Sequence, residues 1–202
     1  MRDIDVRIAV RGRLASEHEG DADTRIVEEM GIWNGAVRVD LAVINGELAG
    51  YEIKSARDTL QRLPAQAALY NAVFDRVHLV AAEKHLPRAT AEIPSWWGVI
   101  VAHDDGDRVR LVVERAGDTN PAIEPAQIAR LLWRDEAIDI LESHGAARGV
   151  RGASRERVVE RLVSTLGLNE LRQAVRQCLK RRQQWLGQPV NDQADVAIGR
   201  EG

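Results

Sequence analysis

The stretch RVDLAVINGELAGYEIKS, residues 38–55, decides how the rest of the chain is read. Val37, Val39, Leu41 and Val43 alternate with Arg38, Asp40 and Ala42, the period of two that a β-strand imposes on its two faces. Asn45-Gly46 follows, a strong hairpin signal because a type I′ turn needs positive φ at both central residues. Leu48 to Ser55 then returns as the partner strand. Asp40 lies five residues before Asn45 and Glu52 six residues after Gly46, so a tight turn sets the two acids nearly opposite each other. Glu52 and Lys54, two residues apart, share one face of the second strand. Charges embedded among Val39, Leu41, Tyr51 and Ile53 are costly unless paired or bound to a metal. Either a metal or Lys54 must neutralise them.

Outward from this hairpin, Ile4, Val6, Ile8, Val10 and Leu14 fit a short helix or a strand equally well. Ile26, Val27 and Met30 stand at helical spacing, with Gly31 as a stop. A helix is predicted over 63–74, with Pro64 in its first turn, and a short apolar strand over 77–82. Residues 97–102 and 109–113 read as a second hairpin around Asp104-Asp105-Gly106-Asp107. From Pro125 the pattern turns helical, with Ile128, Leu131, Leu132, Ile138 and Leu141 on one face. Two more helices are predicted over 155–166 and 169–185, with Gly167 ending the first and Asn169 capping the second. Residues 186–202 lack periodicity and read as a frayed tail. The predicted class is α/β, a mixed sheet flanked by helices with a helical C-terminal region. Its division is a core over 1–120, a helical region over 125–185 and a flexible tail over 186–202.

The composition, 45% hydrophobic and 29% charged, is that of a globular protein. Cys178, the one cysteine, excludes an intrachain disulfide. The charged opening residues and the lack of a long apolar run predict a cytoplasmic protein with no membrane association. The net charge of −3 hides an asymmetry: from Arg148 to Arg182 ten Lys and Arg face three acids, a local +7. Such a block can mark a phosphate-binding surface, or simply a solvated helix face. Its two helices, joined by Leu166-Gly167-Leu168-Asn169, are also compatible with a helix-turn-helix reader. His78, His85, His103 and His144 show no metal-ligand spacing, the 104–107 turn lacks a Ca²⁺-loop pattern, Trp96-Trp97 favour core packing over stacking on bases, and Cys178 reads as packing.

Beyond the residues themselves, RVDLAV over 38–43 and GYEIKS over 50–55 resemble the PD-(D/E)XK nuclease superfamily, the restriction-endonuclease-like enzymes. Gln66-Ala67-Ala68-Leu69-Tyr70 is similar to the Gln-x-x-x-Tyr helix motif of RecB-like members, and Glu28-Glu29 falls where many members carry a helical acid. The resemblance covers about residues 24 to 85; Val39 departs from it where the motif's name has proline. It implies a Mg²⁺- or Mn²⁺-dependent phosphodiester hydrolase acting on DNA, with RNA left open, in repair, recombination or defence, and a homo-oligomer in some members. Asp40 and Glu52, with the carbonyl of Ile53, would hold the metal. Glu29 would be the accessory ligand, with Glu28 as its alternative. Lys54 would orient or deprotonate the attacking water, and Gln66 and Tyr70 would contact the substrate phosphate. A competing expectation is a non-catalytic DNA-binding module or regulator that uses the basic C-terminal helices.

Overall fold

The computed structural model describes residues 1–32, 35 and 37–182; the tail predicted over 186–202, and the end of the helix predicted to run to 185, lie outside them. The chain is a mixed α/β structure. In order it forms α1 (Asp3–Glu17), β1 (Arg25–Ile32), β2 (Val37–Ile44), β3 (Leu48–Lys54), α2 (Leu63–Asn71), β4 (Arg76–Ala82), α3 (Leu86–Ala91), β5 (Gly98–Asp104), β6 (Val109–Arg115), α4 (Pro125–Ala129), α5 (Arg134–Ser143), α6 (Arg155–Thr165) and α7 (Leu168–Arg181). The six strands stand in sequence order; β3, β4 and β5 are parallel neighbours and the remaining pairings are antiparallel.

Each face of the sheet has its own core. Val6, Val10 and Leu14 of α1 cover Leu41, Val43, Tyr51, Ile53, Val80 and Ile100. Their spacing of four settles the ambiguous N-terminal pattern as a helix, and leaves Ile4 and Ile8 exposed on its other side. The opposite face buries Val27, Ile44, Leu48, Leu79 and Val99 under Tyr70 and Phe74 and under the inner faces of α4 to α7. The C-terminal helices therefore share one core with α2 and the sheet. No described helix is long and apolar enough to cross a membrane.

Several elements differ from their sequence reading. Residues 25–32 form a strand, not a helix. Glu29 has φ of 51°, a left-handed conformation costing roughly 1 kcal/mol or more for a non-glycine residue. Across that residue the buried face shifts: Val27, then Met30 and Ile32, point into the same core. The resulting interval of three imitates a helical period. The hairpin turn spans Asn45 to Glu47, where Asn45 Oδ1 accepts from Glu47 N–H at 2.9 Å, and neither Asn45 nor Gly46 has positive φ, so it is not type I′. The helix expected from Pro125 breaks in two between Ala129 and Arg134, and Glu136 turns back to accept from Trp133 N–H at 2.7 Å and starts α5 afresh. Gly167, not Asn169, is the N-cap of α7.

Candidate functional site

The site is built where β2 and β3 part. Their pairing ends at Leu41↔Tyr51, and one further step of that register sets Asp40 opposite Glu52. On the other side, Glu28↔Leu41 and Met30↔Val39 bracket Glu29 and Asp40. Val39 enters the α2-side core and Leu41 the α1-side core, so β2 changes face at Asp40. The Asp40 carboxylate is thereby turned along the sheet, and its Oδ2 accepts from the Ile53 N–H at 2.7 Å.

Glu52 and Lys54 lie on the α2 side and are almost sealed, at 2% and 5% exposure. Lys54 Nζ donates to Glu52 Oε1 at 2.5 Å and to Gln66 Oε1 at 3.0 Å. Tyr70, one helical turn after Gln66, donates its hydroxyl proton to Glu52 Oε2 at 2.7 Å. The same hydroxyl lies 3.1 Å from Arg38 O, but a single proton favours the charged acceptor. A buried ion pair survives desolvation only when its remaining polar atoms are satisfied, and Gln66 and Tyr70 supply that satisfaction. Tyr70 is itself fully buried, between Phe74 and Trp97, with its hydroxyl committed to Glu52.

Arg7 of α1, which the sequence reading did not single out, completes the cluster. Its Nη2 lies 2.9 Å from Asp40 Oδ1, and its Nη1 lies 2.8 Å from Glu29 Oε1 and 3.0 Å from the Asp40 carbonyl. Asp3, one helical turn earlier, reaches the same guanidinium at 3.3 Å. Burial and then the charge of Glu52 push the Asp40 carboxyl up to about 7, against the Ile53 N–H, Arg7 and Lys54. Burial opposes the Arg7 charge, yet Asp40, Asp3 and Glu29 outweigh it and hold that guanidinium above its ordinary range. Burial, followed by the Glu52 charge, raises the Tyr70 phenol.

Asp40 and Glu52 are hard oxygen donors of the kind Mg²⁺ takes, and Mg²⁺ binds through one or two carboxylates with waters retained. Glu29 is turned to Arg7, and Glu28 to Arg11 at 3.2 Å. Among the described residues no three His, Cys, Asp or Glu side chains gather as a metal-holding set. Asp40 and Glu52 are thus two hard oxygen donors whose carboxylates already hold donors of the chain itself, and Glu29 is joined to Asp40 through Arg7.

The other candidates lie apart. His85 Nε2 is 3.0 Å from Ser55 O, His78 stacks on Tyr51 with ring centres 4.7 Å apart, and Trp97 donates to Asn71 Oδ1 at 2.8 Å. Cys178 is half-buried on α7. Much of the C-terminal positive charge is spent inside the chain. Arg172 and Arg176 hold buried Asp75 at 2.5 and 3.4 Å, and Arg182, itself buried, holds Glu136 at 2.5 Å. Arg155 and Arg161 donate to backbone carbonyls.

Comparison with known proteins places the chain in a family. Protein cII of Enterobacteria phage P4 is 29% identical over 161 residues, which cover 80% of this chain and 60% of that protein. The chain thus spans about 60% of that relative's length. Among solved structures, a protein of unknown function from Silicibacter pomeroyi, SPO1766, aligns with TM-score 0.45 and 20% identity over 77% of this chain and 97% of its own. Pyrococcus furiosus SfsA in complex with Ca²⁺ aligns with TM-score 0.32 and 13% identity over 56% of this chain and 61% of its own. The model of bacteriophage P4 protein cII matches residues 2–192, nearly the whole sequence, and the chain belongs to that family.

Proposed function

We propose that the chain acts on DNA and that the Asp40, Glu52 and Lys54 cluster is a PD-(D/E)XK-type site for phosphodiester hydrolysis. The observation that carries this reading is the placement of the Glu52–Lys54 pair beside Asp40 at a strand divergence, backed by Gln66 and Tyr70 from one helix. Asp40 and Glu52, with the Ile53 carbonyl, would hold Mg²⁺ or Mn²⁺, with Glu29 as an outer acid. Such a cation would supply a water acidic enough to attack near neutral pH and a counter-charge for the phosphate. Lys54, held as an ammonium by Glu52 and Gln66, would orient that water. Gln66 fixes the ammonium, and Tyr70 fixes the carboxylate, so both are positioning residues. Purified protein incubated with labelled single- and double-stranded DNA, with and without Mn²⁺, tests the reading. Cleavage is expected only with metal, and is expected to vanish in Asp40→Asn and Lys54→Ala while DNA binding persists. Wild-type cleavage by either variant overturns the assignment of the site.

A second reading, a non-catalytic DNA-binding regulator, rests on a specific observation. Arg7 already balances Asp40, Lys54 balances Glu52, and the latter pair is almost sealed from solvent. On that reading the cluster is scaffold. DNA binding would be steeply salt-dependent, indifferent to Mn²⁺, and without cleavage of any substrate.

A further inference from the structure

A cleft of about 670 Å³ opens at the far end of the β2–β3 hairpin, between α7 and the Asn45-Gly46 turn. Asn45 is five residues along β2 from Asp40, roughly 17 Å at the usual rise of a strand, so the cleft is separate from the Asp40–Glu52 cluster. One wall is a single stripe of α7: Gln173, Arg176, Gln177 and Lys180 follow at intervals of three, one and three residues. Leu171, Val175 and Leu179 bury the opposite side of that helix and fix the stripe outward. Arg25, at the start of β1, forms the facing wall, and its Nη1 donates to the Lys180 carbonyl at 2.6 Å.

The charge of the lining is one-sided. Arg25, Arg176, Lys180 and Arg181 face one acid, Asp23. Two of these cations are oriented by carboxylates at their sides: Lys180 by Asp23 at 2.5 Å and Arg176 by Asp75 at 3.4 Å. Pre-oriented cations lose less side-chain entropy on meeting an anion. Gln173 and Gln177 are exposed between them and offer neutral donors and acceptors. Regularly spaced cations with interleaved amides suit a polymer of phosphodiesters carrying hydrogen-bonding bases, not an isolated anion.

We propose that this cleft is the binding site for the backbone of one DNA strand, anchored by Arg25, Lys180 and Arg181 with Gln177 between them. The inference rests on the proposal that the chain acts on DNA, and is independent of whether it hydrolyses it. The test measures fluorescence anisotropy of a labelled single-stranded oligonucleotide with the full chain in EDTA. The variants are Gln177→Glu/Arg181→Glu, both positions being exposed, and Arg157→Glu, an exposed α6 cation outside the cleft. The cleft variant is expected to weaken binding at least tenfold and to flatten the dependence of log K on log salt by about one charge. Arg157→Glu is expected to bind as the wild type does. Unchanged affinity and slope in the cleft variant, or equal weakening by Arg157→Glu, overturns the site. If Mn²⁺-dependent cleavage persists in those circumstances, the functional proposal stands without the cleft. If the wild type binds no DNA at low salt, both fall.

Discussion

Arg7 Nη2 stands 2.9 Å from Asp40 Oδ1 while its Nη1 stands 2.8 Å from Glu29, so one guanidinium spans the two acids from β1 and β2. At 12% exposure this side chain is a partly buried counter-ion, delivered by a helix that docks on the sheet through Val6, Val10 and Leu14. Such a cation does for Asp40 part of what a bound metal would do. It offsets the desolvation of the carboxylate and occupies one of its two oxygens. The second oxygen accepts from Ile53 N–H, so each oxygen of Asp40 already holds a donor of the chain and a cation would have to share them.

Competition between Arg7 and a divalent cation follows. Arg7→Ala removes the guanidinium that joins Asp40 and Glu29, and should destabilise the metal-free protein by about 3 kcal/mol, the low end for breaking a buried pair. The same variant should bind Mn²⁺ more tightly than the wild type in calorimetric titration, and regain stability as Mn²⁺ is added. Weaker or unchanged Mn²⁺ affinity would show that Arg7 supports the cation site instead of competing for it.

Glu52 and Lys54 should behave as a unit. Glu52→Gln or Lys54→Met alone strands a charge at a site with 2–5% exposure and is expected to cost about 3 kcal/mol. The double variant removes both charges and should cost clearly less than the sum, in urea unfolding of all four proteins. Additive losses would mean that the two side chains do not compensate one another.

Tyr70→Phe removes one hydroxyl from a carboxylate acceptor and should cost about 2 kcal/mol, within the range for a hydrogen bond to a charge. If the cluster is catalytic, the same variant should lower kcat with KM nearly unchanged, since the buried ring has no surface to offer a substrate. A rise in KM alone would assign Tyr70 a contact with DNA that its burial argues against.

The pairing of Glu52 with Lys54 was legible because a two-residue interval on a strand admits one face only. Asp40 opposite Glu52 was legible from their distances to the turn, even though the turn itself has another form. Arg7 was not legible. Its neighbours show an ordinary helix surface with Asp3 one turn away, and its meeting with Asp40 is made by docking α1 on the sheet, which no local pattern encodes. β1 was misread because the left-handed Glu29 destroys the alternation that identifies strands. The +7 block overstated its free charge: Arg182 lies over the Trp133 ring at 4.4 Å and pairs with Glu136, a role in core assembly that composition cannot distinguish from a surface cation.

His78 gives the fold a dependence on pH away from the candidate site. Its ring stacks on Tyr51, and Gly98 and Gly117 leave room for it; a Cβ at Gly98 would lie 2.3 Å from the imidazole. Burial, then the charges of Arg76 and Arg13, push the imidazole from 6.5 down to about 4. Between those values the unfolded chain binds a proton that the folded chain refuses. Stability from this group is therefore complete above pH 6.5, declines as the pH falls, and is lost by about pH 4, a difference on the order of 3 kcal/mol. His78→Phe keeps a ring on Tyr51 and cannot be protonated, so its unfolding free energy should fall less between pH 6.5 and 4 by that amount. Equal slopes for the two proteins across that window would show that the folded His78 takes up its proton as freely as an exposed histidine. Gly98→Ala offers a second check on the same packing. The added methyl must displace the imidazole, and a loss of about 1–3 kcal/mol at neutral pH is expected from overpacking at this position.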